Sequence, residues 1–241
     1  MLSLFLKIFS AIKNACFPLT CACCEEFVET EGVCANCWEK IRWLPEHLCK
    51  ICGKPIDNEE SICADCIKSP PTFDKAIAVF SYDNFSKKMI LHFKNEDATY
   101  LAPLFAEWIY RKILPFEDEI DIIVPVPISY FGRLSRKYNQ TELLASELHK
   151  ITGIDYNPLA LKKINTTVSQ KKLTRAQRLK NLKKSFAANK DVDLRGKNVL
   201  LIDDVITTGS TANECSKKLK EAGAAKVFVA TIKSLAKVSS I

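Results

Sequence analysis

Glycine is scarce in this 241-residue chain, with 7 residues against 10 prolines, which excludes collagen-like repeats and flexible linker sequences. Long apolar runs are missing as well. No stretch reaches 18 uninterrupted apolar residues, so no membrane-spanning helix is expected. Charge of one sign does not dominate: 26% charged against 47% hydrophobic residues is a globular balance and excludes a disordered tail protein. Two common phosphate-binding patterns, GxxxxGK[ST] and GxGxxG, do not occur, which argues against a Walker-type NTPase and a dinucleotide-binding unit. A secretory leader is not expected either. Met1 to Pro18 is apolar but interrupted by Lys7 and Lys13, and it lacks a small-residue cleavage site. Residues 1–18 read as an amphipathic segment, with a helix lying on a membrane surface as the alternative.

What is present is unevenly distributed. Residues 1–66 carry 6 Lys/Arg against 10 Asp/Glu, whereas residues 129–190 carry 14 against 3. A basic segment of that size implies a polyanionic partner, nucleic acid or a small polyphosphate, with a solvated lysine-rich surface as the plain alternative.

Cysteine is more uneven still. Ten of the 11 cysteines lie between Cys16 and Cys66, and eight of those form the pairs Cys21/Cys24, Cys34/Cys37, Cys49/Cys52 and Cys63/Cys66. Two residues between the thiols of each pair let both sulfurs face one tetrahedral ion. The spacing therefore predicts two four-thiolate zinc sites in a double ribbon over residues 19–68. Disulfides fit a chain without a secretory signal poorly, and a redox CxxC occurs once, not four times in succession. Four thiolates close the zinc coordination sphere, so these sites are expected to be structural. Cys16, Cys23 and His47 fall outside the scheme, and Cys23 remains an alternative ligand to Cys24.

Ser69-Pro70-Pro71-Thr72 makes a stiff spacer, and a second domain is expected over residues 72–241. Strand patterns at Ala76–Tyr82, Ile120–Val126, Val199–Ile202 and Lys226–Ile232 alternate with helical patterns at Tyr100–Leu114, Gln140–Ile151 and Thr211–Ala222. Short apolar strands alternating with helices predict an α/β domain with a parallel sheet.

The sharpest motif is Val199-Leu200-Leu201-Ile202-Asp203-Asp204-Val205-Ile206-Thr207-Thr208-Gly209-Ser210-Thr211. A buried strand ends in two carboxylates and runs through a hydroxyl-rich loop with one glycine into a helix. Ligands bind at the carboxyl ends of strands in such sheets, and a helix N-terminus with Ser/Thr hydroxyls suits a phosphate. The acids would repel a bare phosphate unless they face a divalent cation or accept from sugar hydroxyls, and a ribose 5-phosphate satisfies every part of the arrangement.

This segment resembles the phosphoribosyl pyrophosphate (PRPP) signature of type I phosphoribosyltransferases. The resemblance implies that Asp203 and Asp204 hold the ribose hydroxyls and that Thr207, Thr208, Gly209, Ser210 and Thr211 hold the 5′-phosphate. The whole chain resembles the ComF family of competence-associated proteins. Ile123-Val124-Pro125-Val126-Pro127-Ile128, Arg133, Arg136 and Asn139-Gln140 are similar to one family segment, and Gln170, Leu173-Thr174, Arg178 and Asn181 to another. Lys137-Tyr138 stands where the family has Gly-Phe, and Lys172 where it has Gly.

By this resemblance Arg133, Arg136 and Lys137 meet pyrophosphate, usually carried with Mg²⁺. Thr166 to Ser185, basic and without an acid, reads as a closing lid with Arg175 and Arg178, or else as a nucleic-acid-binding strip. The resemblance thus implies a type I phosphoribosyltransferase-like parallel sheet flanked by helices, behind a double zinc ribbon. It further implies PRPP or nucleotide binding and a cytoplasmic role in DNA uptake and natural transformation. The alternative is a non-catalytic single-stranded DNA or nucleotide adaptor whose ribbons dock competence proteins. No general base stands out, since His92 and His149 sit in helical patterns.

Overall fold

A computed structural model describes residues 19–29, 32–56, 61–81, 84–95, 98–128, 138–164, 185–206 and 208–234. The expected amphipathic segment 1–18, Cys16, Thr207, Arg133, Arg136, Lys137, Arg175 and Arg178 lie outside these residues.

The cysteine-rich region contains two short helices, α1 (Ala35–Trp38) and α2 (Ala64–Lys68), each beginning just after the first thiol of a knuckle. Next come β1 (Lys75–Ser81), α3 (Asn84–Asn95) and α4 (Leu101–Ile113), which runs into a 3₁₀ turn, Leu114–Glu119. The chain continues through β2 (Ile122–Pro125), α5 (Gln140–Thr152) and three short strands, β3 (Asp155–Tyr156), β4 (Leu161–Lys163) and β5 (Phe186–Ala188). It closes with β6 (Asn198–Ile206), α6 (Ser210–Glu221) and β7 (Lys226–Ser234).

Five strands form one parallel sheet in the order β1-β7-β6-β2-β3, and β4 and β5 pair as a separate antiparallel hairpin. The expected parallel α/β sheet is therefore present. Alternation along the central strands feeds two cores. Leu200, Ile202, Phe228 and Ala230 face α3, α4 and α5, and Val199, Leu201, Val227 and Val229 face α6.

Local chemistry sets the helix ends. The Asn139 side chain caps α5 by accepting from the Thr141 N–H, and Gly153 ends that helix at φ 73°. In α6, Ala212, Cys215 and Leu219 are buried on one face, and Gly223 follows its C-cap at φ 102°.

β1 is an edge strand, and the cysteine-rich region covers it. The Ser81 N–H donates to Arg42 O at 3.0 Å, and the Ala76 N–H donates to Ile51 O at 2.6 Å. Trp43 bridges Phe80 in antiparallel fashion. An edge with free N–H and C=O groups is a template for unwanted pairing, and this contact removes it.

Candidate functional site

The cysteine clusters come first in the chain. Cys21, Cys24, Cys34 and Cys37 form one group and Cys49, Cys52, Cys63 and Cys66 a second, with all ligand sulfurs of a group within 4.8 Å of one another. A tetrahedral S₄ site with Zn–S near 2.3 Å requires sulfurs roughly 3.8 Å apart. The Cys24–Cys34 and Cys52–Cys63 separations are 3.7 and 3.6 Å.

Both groups use the same backbone. The Cys34 N–H donates to Cys21 Sγ and the Cys63 N–H to Cys49 Sγ, each at 3.3 Å. The residue after each first knuckle is left-handed, Glu25 at φ 65° and Gly53 at φ 66°. The residues fit zinc, and their role there is to hold the fold. Cys23 is not a member of the first group: it is buried, with its Sγ 3.7 Å from Met89 Sδ. His47 is likewise in neither group.

The second feature is a cleft of about 530 Å³ at the carboxyl end of the sheet, into which Asp203, Asp204 and Thr211 project. β6 extends further than its apolar pattern suggests. It stays paired with β7 through Ile206↔Ser234, so both acids lie within the strand and not after it. Asp203 Oδ1 accepts the Asp204 N–H at 2.9 Å. Burial and the adjacent Asp204 carboxylate push the Asp203 carboxyl up to about 7, against the pull of the Asp204 N–H, Lys94 and Lys163.

After β6 the chain turns at Gly209, φ 71°, which is the N-cap of α6. The Thr208 and Ser210 hydroxyl oxygens are 2.8 Å apart. Thr211 therefore joins the acids in the cleft. Thr208, Gly209 and Ser210 line a second cavity of about 460 Å³, between this loop and the second cysteine group. The loop is buttressed from that side: the Phe73 ring lies 3.7 Å from where a Cβ on Gly209 would stand.

Several cleft residues were not anticipated from the sequence. Lys87, Lys94, Lys163 and Lys233 all line it, as do Asn139, Gln140 and Thr141. Lys94 Nζ lies 2.6 Å from Asp204 Oδ2. Lys233 is 2% exposed although charged. Its place directly after the apolar run Val227–Ile232 of β7 is the one signal that could have singled it out, because a lysine is rarely buried without a partner. Asn139 and Gln140 entered the reading only through the family resemblance. Asn139 Nδ2 is buried and has no hydrogen-bond partner among the described residues.

His92 and His149 do not line this cleft. His149 Nδ1 is 2.6 Å from Ile154 O, and His92 Nε2 is 3.5 Å from Glu25 Oε1.

One or two carboxylates, water and a substrate's own phosphates make an ordinary octahedral oxygen set for Mg²⁺. The carboxylates lining the cleft among the described residues are Asp203 and Asp204, and the second is already held by an ammonium. Among the described residues, close groups of three or more His, Cys, Asp or Glu ligands are the two cysteine groups alone.

Comparison with known proteins covers both regions. The double zinc ribbon domain family matches residues 12–67, and the phosphoribosyl transferase domain family matches residues 104–237. Competence protein F of Haemophilus influenzae is 30% identical over 209 residues, 84% of this chain and 90% of its own. Competence protein ComFC of Bacillus subtilis is 29% identical over 204 residues, 81% of this chain and 80% of its own. DNA utilization protein YhgH of Escherichia coli is 27% identical over 203 residues, 82% of this chain and 88% of its own. Among the described residues, no helix is long and apolar enough to cross a membrane. With the ribbon and transferase families matched one after the other along this chain and a competence protein 30% identical over 84% of it, the chain belongs to the ComF family, a double zinc ribbon joined to a phosphoribosyl transferase domain.

Proposed function

We propose that the cleft binds PRPP or the ribose 5-phosphate part of a nucleotide, and that the protein acts in DNA uptake and natural transformation. One observation carries the reading: Asp203, Asp204 and Thr211 meet in a single cleft at the carboxyl end of the central strand. In this reading the two carboxylates accept from the ribose hydroxyls, and Thr211 at the α6 N-terminus takes the 5′-phosphate. Lys87, Lys94, Lys163 and Lys233 of the cleft meet the pyrophosphate. Arg133, Arg136 and Lys137 join them, with Arg175 and Arg178 in a closing segment. Transfer would break the bond from ribose C1 to pyrophosphate, which departs with the bonding electrons, and form a bond from C1 to an acceptor nucleophile. Any Mg²⁺ would arrive on the pyrophosphate. The relatives' names, competence proteins and DNA utilization proteins, support the biological setting. The ribbons then serve as docking modules for partner proteins of a cytoplasmic uptake machinery.

The test is calorimetric titration of Mg²⁺-PRPP into zinc-replete protein, with Asp203→Asn/Asp204→Asn as control. Binding should be present in the wild type and absent from the variant; no heat at millimolar PRPP overturns the reading. A second reading, a non-catalytic single-stranded DNA adaptor, is favoured by the DNA utilization relatives and the lysine-lined wall. It requires salt-dependent DNA affinity that survives Asp204→Asn and fails in Arg175→Ala/Arg178→Ala.

A further inference from the structure

The cavity of about 460 Å³ beside the second ribbon is separate from the cleft, and none of the described residues lines both. At the ends of the central strands Val205 and Lys233 line the cleft, whereas their neighbours Ile206 and Ser234 line the cavity. Ile206 packs with Phe73 in the core beneath α6, and Val205 packs against the core on the other face of the sheet. The strand ends and the loop at Thr208, Gly209 and Ser210 therefore divide the two spaces. The cavity also lies between the ribbon and the sheet domain, a common place for a small-molecule site.

Its walls have two characters. Pro70, Pro71, Phe73 and Ile206 supply apolar surface. Lys54 and Asp65 supply an ammonium and a carboxylate 2.6 Å apart, with their side chains 45% and 79% exposed. An ion pair so open to water contributes little to stability, so a ligand that parts it loses little. The Asn213 side chain lines the cavity too. Its Oδ1 accepts the Thr72 N–H, which leaves its amide N–H groups to offer a ligand. Apart from the thiols of the zinc group, Lys54 and Asp65 are the charged side chains among the described lining residues, one of each sign. That balance favours a neutral ring over a polyphosphate. A donor beside an acceptor, set among apolar walls, complements a planar ring that carries an N–H next to a carbonyl.

We propose that this cavity is a nucleobase site, in which Asp65 accepts from the ring N–H, Lys54 donates to the neighbouring carbonyl oxygen, and the ring lies against the prolines and Phe73. A free nucleoside and a base turned out of a single DNA strand present the same edge, and the experiment separates these two sources. The site is independent of the ribose-phosphate reading of the cleft.

The probe is thymidine, which has no phosphate, titrated into zinc-loaded full-length protein. Wild type should bind it with a Kd below about 1 mM, and 3-methylthymidine, which lacks the ring N–H, at least about tenfold more weakly. Asp65→Ala should lose about tenfold, and Ser69→Trp, which fills the exposed rim of the cavity, should abolish binding. Asp203→Asn/Asp204→Asn should bind thymidine as wild type does, which keeps this result apart from the cleft. Melting curves and zinc content confirm that each variant is folded. No thymidine binding overturns the inference, as does equal affinity for the methylated nucleoside or wild-type affinity in Ser69→Trp. Oligothymidylate that binds at least about tenfold tighter than thymidine, and loses that gain in Ser69→Trp, assigns the base to a DNA strand. Without such a gain, or with a gain that Ser69→Trp leaves intact, the base belongs to a free nucleoside or nucleotide.

Discussion

At Asp203, a carboxyl held at about 7 by burial and by its neighbour Asp204 links function to stability. An unfolded aspartate titrates near 3.9, so between about pH 4 and pH 7 the folded state binds more protons than the unfolded state. Stability contributed by this group is therefore full at low pH and is lost as pH rises through that window. Asp203→Asn keeps the acceptor for the Asp204 N–H and removes the charge. We expect it to raise the Tm by roughly 2–6 °C near pH 8 and by little near pH 4, read from melting curves of both proteins at each pH. An equal shift at both values would refute the assignment of the cost to ionisation. The knuckle residues Glu25 and Gly53 teach a related lesson. Both adopt the same left-handed turn, but a Cβ on Gly53 would meet Ala76 O at 2.6 Å, whereas Glu25 has room for a side chain that reaches His92.

Among the elements, the second ribbon is tied to β1, where the Ile51 carbonyl accepts from the Ala76 N–H, and the segment after it reaches the loop before α6: the Thr72 N–H donates to Asn213 Oδ1 at 2.5 Å, and Phe73 backs Gly209. A unit this small has little apolar core, so its metal supplies much of its folding free energy. Cys66→Ser should therefore lower bound zinc from two equivalents per chain to one, since Cys66 belongs to one group only. It should also weaken PRPP binding by about tenfold or more through the loosened loop. Zinc analysis and titration on the same sample check both. Lost zinc with unchanged affinity would mean the loop stands without the ribbon.

Over the whole molecule, the ribbons and the sheet share their cores. Cys21, Ala22, Cys37 and Ile41 pack in one cluster with Phe80, Met89 and Phe105, and Ile51 and Cys52 pack against the other. All three tryptophans meet at this junction: Trp43 lies 4.8 Å from Trp38 and 5.4 Å from Trp108, ring centre to ring centre. Zinc-replete protein should accordingly unfold in one transition, with tryptophan fluorescence and far-ultraviolet circular dichroism giving coincident curves. Two separated transitions would show that the ribbons fold by themselves.

Much of this was legible in the chain alone. Spacing between cysteines determined both metal groups, because a C-x-x-C knuckle is a local geometry. Apolar period determined the parallel sheet and the helices α4, α5 and α6, and the acid–hydroxyl–glycine run marked the cleft. The helices α1, α2 and α3 were not delimited, and β3, β4 and β5 escaped as well, with two or three residues each, too short to carry a period. The extent of β6 escaped as well. Its last residues are polar, and what keeps them in the strand is pairing with β7, a non-local partner. Tertiary structure alone decided that Lys94, from a helix over one hundred residues earlier in sequence, meets Asp204, and that Lys233 is buried beside the cleft. It also decided that the ribbons cap the edge of β1. The physical reason is common to all three. A side chain's charge is written in the sequence, but its counter-charge, its desolvation and its neighbour across a sheet edge exist only once distant segments have packed.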